Sequence, residues 1–147
     1  MVIDARRIVL VQVRERLPAG LEQMRAEARA EGHRMLDTLA AEWDSGATRF
    51  ARPGEALFAA YAAGTLAGIG GITQEPTIPG ALRMRRFYIR PQFRRRGVGR
   101  ELIIRLLDGA VGGVITANAA AGSEPFWETF GFVADRRDGY THIRRPR

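Results

Sequence analysis

The sequence contains no cysteine and no lysine, and its 147 residues include only two histidines, His33 and His142. The absence of cysteine excludes disulfides, thiolate metal sites and cysteine nucleophiles. The absence of lysine excludes a Walker-type phosphate loop and a pyridoxal Schiff base, because both require a lysine amine. With so few histidines, a histidine-rich metal site is not expected, and we predict no metal.

Long apolar runs are also missing from the chain. The longest run near its start, residues 8–11, is too short for a signal-peptide core or a membrane span. We therefore expect a cytoplasmic protein that does not contact a membrane. The length is typical of one domain with its own core, so we predict a single domain over residues 1–147.

Positive charge is concentrated in one stretch of the chain. All 23 basic residues are arginine, and the formal net charge is +7. Residues 83–105 contain nine arginines and one acid, whereas the rest of the chain has 14 arginines and 15 acids. Such a patch is typical either of a solvated strand face or of a site that binds anions.

The spacing of apolar residues predicts a mixed α/β domain with the element order β-α-α-β-β-β-α-β-α-β-β. Residues 6–14 predict the first strand, and a hairpin turn is predicted at Ala63-Gly64-Thr65. In the strand over residues 82–89, apolar residues alternate with arginines until the alternation slips at Arg85-Arg86. That slip predicts a β-bulge.

The next segment is a basic loop with two glycines that runs into an amphipathic helix: Arg94-Arg95-Arg96-Gly97-Val98-Gly99. The first N–H groups of a helix lack intrahelical partners, and the helix dipole makes that end positive. Glycines let a phosphate approach these amides, and arginines add donors. The loop alone is as often a tight turn as a ligand site. A dinucleotide fold fits poorly, because Leu102 replaces the third glycine of its motif.

Three motifs in this order resemble the GNAT superfamily of acetyl-CoA-dependent N-acetyltransferases. They are the strand end Phe87-Tyr88-Ile89-Arg90-Pro91, the loop Arg94-x-x-Gly97-x-Gly99, and Asn118 followed by the aromatic helix of residues 126–132. By motif the resemblance covers residues 82–132, and the element order extends it over almost the whole chain. It implies a single-domain GNAT-like fold with a mixed, mostly antiparallel sheet flanked by helices.

The resemblance implies acetyl-CoA as co-substrate and assigns roles to matching positions. The loop amides would bind the coenzyme diphosphate, and the preceding strand end would pair with the pantetheine arm. Asn118 would contact that arm, Phe126 would pack near it, and Arg94 and Arg95 could meet the 3′-phosphate. The residues implied are Phe87, Tyr88, Ile89, Arg94, Arg95, Arg96, Gly97, Val98, Gly99, Arg100, Asn118 and Phe126.

Direct acetyl transfer needs no covalent nucleophile, but it requires a base for the ammonium and an acid for the leaving thiolate. We predict Glu75 as the base, because it ends the third strand beside Pro76 and should lie near the central cleft. Many relatives supply the acid from a tyrosine where this chain has Trp127, whose indole is not a usable acid. Tyr140 is predicted to substitute, with Ser123 or water as alternatives.

Two other functions remain open at this point: a basic module that binds nucleic acid through residues 83–105, and a CoA-binding relative without catalytic activity. We favour the transferase and expect no nucleic-acid partner, because few aromatics interleave the basic patch. The acceptor is predicted to be a small-molecule or peptide amine bound by residues 31–52 and 74–79. An exposed strand edge makes a homodimer plausible.

Overall fold

The computed structural model describes residues 7–110 and 113–146. The remaining positions of the predicted domain, including Arg6 of the predicted first strand, lie outside the described residues. Within the described ranges, seven strands form one sheet in the order β1-β2-β3-β4-β5-β7-β6. The strands are β1 (Ile8–Gln12), β2 (Ala56–Ala62), β3 (Thr65–Gln74), β4 (Leu82–Ile89), β5 (Ile115–Ala117), β6 (Val133–Arg137) and β7 (Tyr140–Arg144).

In the part of the chain that the structure describes, four α-helices and one short 3-10 turn connect the strands. They are α1 (Leu21–Ala30), α2 (Met35–Ser45), the 3-10 turn Pro91–Phe93, α3 (Val98–Gly109) and α4 (Glu124–Thr129). The element order predicted from the sequence is confirmed. Within the described ranges, no helix has the length and apolar character that a membrane span requires.

One strand pair differs from the rest of the sheet and opens it. Strands β4 and β5 run parallel, whereas every other neighbouring pair is antiparallel. They pair only at Leu82↔Ile115 and Arg83↔Thr116, although β4 continues to Ile89. Parallel neighbours need a crossover, which α3 provides here. Beyond Arg83 the two strands separate, and this separation creates the cleft described below.

Two apolar clusters cover the two faces of the sheet. One contains α3 residues such as Leu102 and Ile103 together with Met84 and Trp127, and the other contains α1 and α2 residues such as Met24 and Leu39. Each helix turns one apolar stripe to the sheet, as its 3.6-residue periodicity predicts. The sheet is therefore covered on both faces. The gap between the separated parts of β4 and β5 connects these two faces.

The predicted irregularity in β4 is confirmed and has a steric cause. The register of β3 and β4 shifts between Ile69 and Gly71, and Arg86 takes φ 60°. This places two β4 residues, Arg86 and Phe87, opposite Gly70 alone. A Cβ on Gly70 would lie 2.7 Å from the Phe87 ring, so only glycine lets that ring cross β3.

Candidate active site

A cavity of about 910 Å³ lies where β4 separates from β5. Its walls come from β4, the loop before α3, the first turn of α3, the segment after β5, and α4. All the residues that the resemblance assigns to the coenzyme line it, with the exception of Arg96. The structure therefore brings the three sequence motifs together around one space.

The loop before α3 presents backbone amides to this cavity. Gly97 precedes the helix with φ 84°, and no side chain caps the helix there. Arg95 is also left-handed, with φ 63°. The first amides of α3, from Val98 onward, thus lie at an uncapped helix N-terminus, where the dipole favours an anion. The end of the cavity beside Gly99 is suited to a phosphate.

The end of β4 turns one backbone amide into the opening. The N–H of Arg90 donates to the carbonyl of Ala67 in β3 at 2.9 Å. Successive residues of a strand direct their backbone groups to opposite sides. The backbone groups of Ile89 therefore point away from β3, and its carbonyl accepts a hydrogen bond from Arg94 Nε at 3.0 Å. The Ile89 N–H is directed toward the cavity.

Arg94 is held in an ion pair that the sequence did not reveal. Its guanidinium donates to both carboxylate oxygens of Glu31 at 2.6 and 2.7 Å, and the Tyr88 hydroxyl also donates to Glu31. Arg94 first, and then Tyr88, lowers the pKa of the Glu31 carboxyl to about 2. Burial and the neighbouring Glu31 raise the pKa of Tyr88 well above its usual value. This cluster ties the end of α1 to the loop and pairs the Arg94 guanidinium with a carboxylate, while its assignment to the coenzyme stays a prediction.

Aromatic residues of α4 form the wall opposite the loop. The Trp127 ring meets Phe87, Phe126 and Phe132 edge to face, with centroids 5.1 to 5.4 Å apart. A Cβ on Gly99 would lie 3.1 Å from Phe126, so that ring closes against the start of α3. Trp127 is buried and serves as the centre of this packing. Asn118 enters the cavity wall from the segment after β5.

The structure does not bring the two predicted catalytic side chains, Glu75 and Tyr140, into the cavity wall. The Glu75 side chain is fully buried and accepts hydrogen bonds from the Thr77 N–H, the Thr77 hydroxyl and the Thr116 hydroxyl at 2.7 to 3.0 Å. Burial opposes ionisation, but these bonds and the charge of Arg83 outweigh it and lower the pKa of Glu75. Tyr140 begins β7 and is buried. The catalytic roles of these two residues stay predictions.

Several cavity residues carry no motif and were missed by the sequence reasoning. His33 lies after α1, and its ring approaches Tyr88 at 6.3 Å between centroids. Arg83 and Arg85 enter from the first half of β4. The only available signal for these two was the alternation of arginine with apolar residues, which is equally typical of a solvated strand face.

A metal is not required to explain this geometry. Across residues 7–110 and 113–146, histidine, aspartate and glutamate form no group of three or more that is placed to hold a metal ion. The chemistry available in the cavity is that of backbone amides, arginines, aromatic rings, one imidazole, the Asn118 amide and the hydroxyls of Ser123 and Tyr88.

Comparisons with solved structures find the same fold in other proteins. A candidate acetyltransferase from Exiguobacterium sp. 255-15 superposes with a TM-score of 0.86 at 19% identity, covering 95% of this chain and 93% of that chain. The GNAT family N-acetyltransferase YhbS from Escherichia coli, solved with CoA, gives 0.68 at 15% identity and covers 99% and 84%. The Bacillus subtilis N-acetyltransferase YlbP, solved with coenzyme A, gives 0.63 at 16% identity and covers 95% and 97%.

Sequence comparison identifies the family directly. No protein matches the chain among curated sequences. The family described as acetyltransferase (GNAT) domain, however, has a sequence model that matches residues 24–143. That match includes β4, the arginine- and glycine-bearing loop before α3, α3 itself and the aromatic helix α4. Since it spans most of the chain and agrees with the observed fold, the chain belongs to the GNAT acetyltransferase family.

Proposed function

We propose that the protein is an N-acetyltransferase that moves an acetyl group from acetyl-CoA directly to a primary amine. Acetyl-CoA is the acetyl donor that family membership implies. The observation that carries the proposal is that the uncapped N-terminus of α3 and the separated end of β4 face the same cavity. Gly97 and Gly99 lie beside the same cavity that the separated end of β4 lines.

The phosphates of the coenzyme would bind at the start of α3. Within the described part of the chain, no carboxylate lies within 4 Å of Arg95, Arg96 or Arg100, in contrast to Arg94. These three guanidinium groups can therefore donate to phosphate oxygens alongside the helix amides. Arg96 packs over the Phe93 ring, 5.8 Å from its centroid.

The pantetheine arm would extend along the separated edge of β4, where strand-like hydrogen bonding is available. The Ile89 N–H directed into the opening would meet the thioester oxygen and stabilise its growing negative charge. Asn118 and Phe126 would contact the arm from the opposite wall. This assignment uses the backbone direction at Ile89 and does not require a charged catalytic side chain.

The proton of the ammonium must be removed before the amine attacks. Glu75 and Tyr140 do not line the cavity, and the Tyr88 hydroxyl already donates a hydrogen bond to Glu31. His33 is the lining residue of a type that commonly accepts a proton near neutral pH. We assign it the role of base. We assign protonation of the leaving thiolate to water, because Trp127 supplies no acid and the Ser123 hydroxyl already donates to the Ala120 carbonyl at 2.7 Å.

Two measurements test the proposal as a whole. Calorimetry should show CoA binding, and acetyl-CoA turnover over a panel of primary amines should release free thiol. Absence of CoA binding would overturn the function. CoA binding that falls steeply with salt, together with equal binding of an unrelated oligonucleotide, would favour the basic nucleic-acid module. Binding without turnover of any amine would identify a catalytically silent relative.

The base is tested separately with His33→Asn. General bases contribute roughly a hundredfold or more to rate, so kcat/KM should fall by about that factor. CoA affinity measured by calorimetry should change little, because the proposed phosphate contacts come from the start of α3 and its arginines and not from His33. Activity of this variant within twofold of the unmodified protein would refute the role of His33 and leave water as the proton acceptor.

A further inference from the structure

The cavity wall has an unusual charge composition. Six arginines line it, and among the described residues no aspartate or glutamate does. Two of the six are neutralised from the α1 and α2 side, because Arg94 pairs with Glu31 and Arg86 pairs with Glu42. Arg95 and Arg100 lie at the start of α3, where coenzyme phosphates are expected. Two arginines, Arg83 and Arg85, remain without an assigned anion.

Both of these arginines are on the same face of β4. Met84 between them packs in the cluster that contains α3, so Arg83 and Arg85 point to the opposite face of the sheet. Arg85 donates from Nε to the Thr73 hydroxyl at 3.2 Å, and in the described chain no carboxylate lies within 4 Å of its guanidinium. The side chain of Arg83 is only 14% exposed.

The hydrogen bonding of Arg83 is incomplete. Its Nε is buried and has no hydrogen-bond partner among the described residues. The nearest carboxylate oxygen, Oε1 of Glu75, is 4.0 Å from Nη1, and that carboxylate already accepts three hydrogen bonds. Burial lowers the pKa of both Arg83 and Arg85, and Glu75 only partly opposes this at Arg83. A second anion at this end of the cavity would compensate two poorly paired charges.

The position of the pair fits an acceptor rather than the coenzyme phosphates. The pairing of β4 with β5 stops at Arg83, so Arg85 lies on the separated part of β4. At the rise of a strand it is at most about 13 Å along β4 from Ile89, whose N–H is proposed to meet the thioester oxygen. An acceptor with its amine at the thioester can therefore direct an anionic group at its other end toward Arg85. The β6–β7 turn closes this end, since a Cβ on Gly139 would be 3.7 Å from Arg83 Nη1.

We propose that the acceptor is a primary amine that also carries a carboxylate or phosphate group, and that Arg85 and Arg83 bind this anionic group. The inference rests on the proposed acetyltransferase function and names the substrate class of the same site. A planar guanidinium is suited to both anions, because it donates two parallel hydrogen bonds to carboxylate or phosphate oxygens.

Substrate pairs that differ only in the anion test this directly. 6-Aminohexanoate is compared with pentylamine, and 5-aminopentyl phosphate with 5-aminopentanol, in the thiol-release assay with acetyl-CoA, because each anionic member carries its amine and its anion at opposite ends. The anionic member of at least one pair should have a kcat/KM roughly tenfold to hundredfold higher, as expected for a charge-assisted hydrogen bond. The pair that shows the preference distinguishes a carboxylate acceptor from a phosphate acceptor.

The variant Arg85→Gln assigns the preference to the residue. It should reduce the kcat/KM ratio of the anionic to the neutral amine to about two. The main cause should be a higher KM for the anionic amine, while KM for acetyl-CoA stays unchanged. Arg85→Lys should retain part of the preference, since it keeps the charge but loses the bidentate geometry. Arg16→Gln, at an exposed arginine before α1, is the matched control and should change neither quantity.

The outcomes separate this inference from the function on which it rests. If CoA binds and neutral amines react as well as their anionic partners, the inference fails and the transferase stands. If the preference is present but persists in Arg85→Gln, the residue assignment fails. If no amine turns over, the same pairs are titrated into the CoA complex by calorimetry, and equal or absent heats overturn the inference. If CoA itself does not bind, the proposed function fails first.

Discussion

The substitution Gly97→Ala tests the proposed phosphate site at the residue that directly precedes α3. Gly97 holds φ 84° immediately before α3, and a Cβ there would meet no protein atom within 4 Å. The cost to folding is therefore conformational and not steric. A left-handed alanine costs about 1–2 kcal/mol, and reduced freedom of the unfolded chain returns about 0.4–1 kcal/mol. The net loss of unfolding free energy should be about 1 kcal/mol, or roughly 2–4 °C in Tm.

The effect on CoA binding should be larger than the effect on stability. The added methyl group would occupy the open space beside the first amides of α3, or φ would relax and turn those amides. Either change would remove at least one hydrogen bond to a phosphate. A hydrogen bond to a charged group contributes about 1.5–3 kcal/mol. The loss of one such bond near 2 kcal/mol corresponds to a Kd that rises roughly thirtyfold.

Gly46→Ala is the matched control for this substitution. Gly46 ends α2 with φ 78°, and a Cβ there would also meet nothing within 4 Å, but it does not line the cavity. Its Tm should fall as much as that of Gly97→Ala, while its Kd for CoA, measured by calorimetry well below Tm, should remain unchanged. A Gly97→Ala protein that loses the expected stability yet binds CoA within threefold of the parent would refute a phosphate at this loop.

Two further substitutions concern carboxylates around the cavity. Glu75→Gln replaces a buried acceptor of three hydrogen bonds, so we expect a loss of about 2 kcal/mol and a Tm lower by roughly 4–8 °C. An unchanged Tm together with lost turnover would instead restore Glu75 as the base. Glu31 has its pKa lowered to about 2 by Arg94 and Tyr88, so its stabilising contribution is complete above pH 4.5 and disappears as the pH falls toward 2. In thermal unfolding, the Tm difference between the parent and Glu31→Gln should be largest near pH 7 and narrow below pH 4.5, and a constant difference would contradict this.

Local features of the site were accessible from the sequence because they depend on neighbouring residues. The loop at Gly97, the bulge at Arg86 and the turn at Ala63-Gly64 each follow from backbone preferences within a few positions. The order of helices and strands follows in the same way from hydrophobic periodicity. These predictions are confirmed. The roles of the coenzyme residues stay predictions, although the structure places nearly all of them around one cavity.

The catalytic predictions show what such reasoning could not reach. Glu75 was placed near the cleft from its position at the end of β3, but the direction of its side chain depends on Thr116, a hydrogen-bond partner 41 positions away. Arg94 was expected to meet the 3′-phosphate, and its ion pair with Glu31, 63 positions away, was not foreseen. No local pattern indicates such partners.

The sequence by itself determined the succession of elements and an uncapped, glycine-bearing helix start, since both arise from short-range backbone geometry. Tertiary structure decided which groups share the cavity. The parallel pairing of β4 with β5 stops after Arg83, and that termination opens the space in which His33, Arg85 and the start of α3 meet. Strand pairing is a long-range contact set by the packing of both sheet faces, and therefore no stretch of the chain encodes it alone.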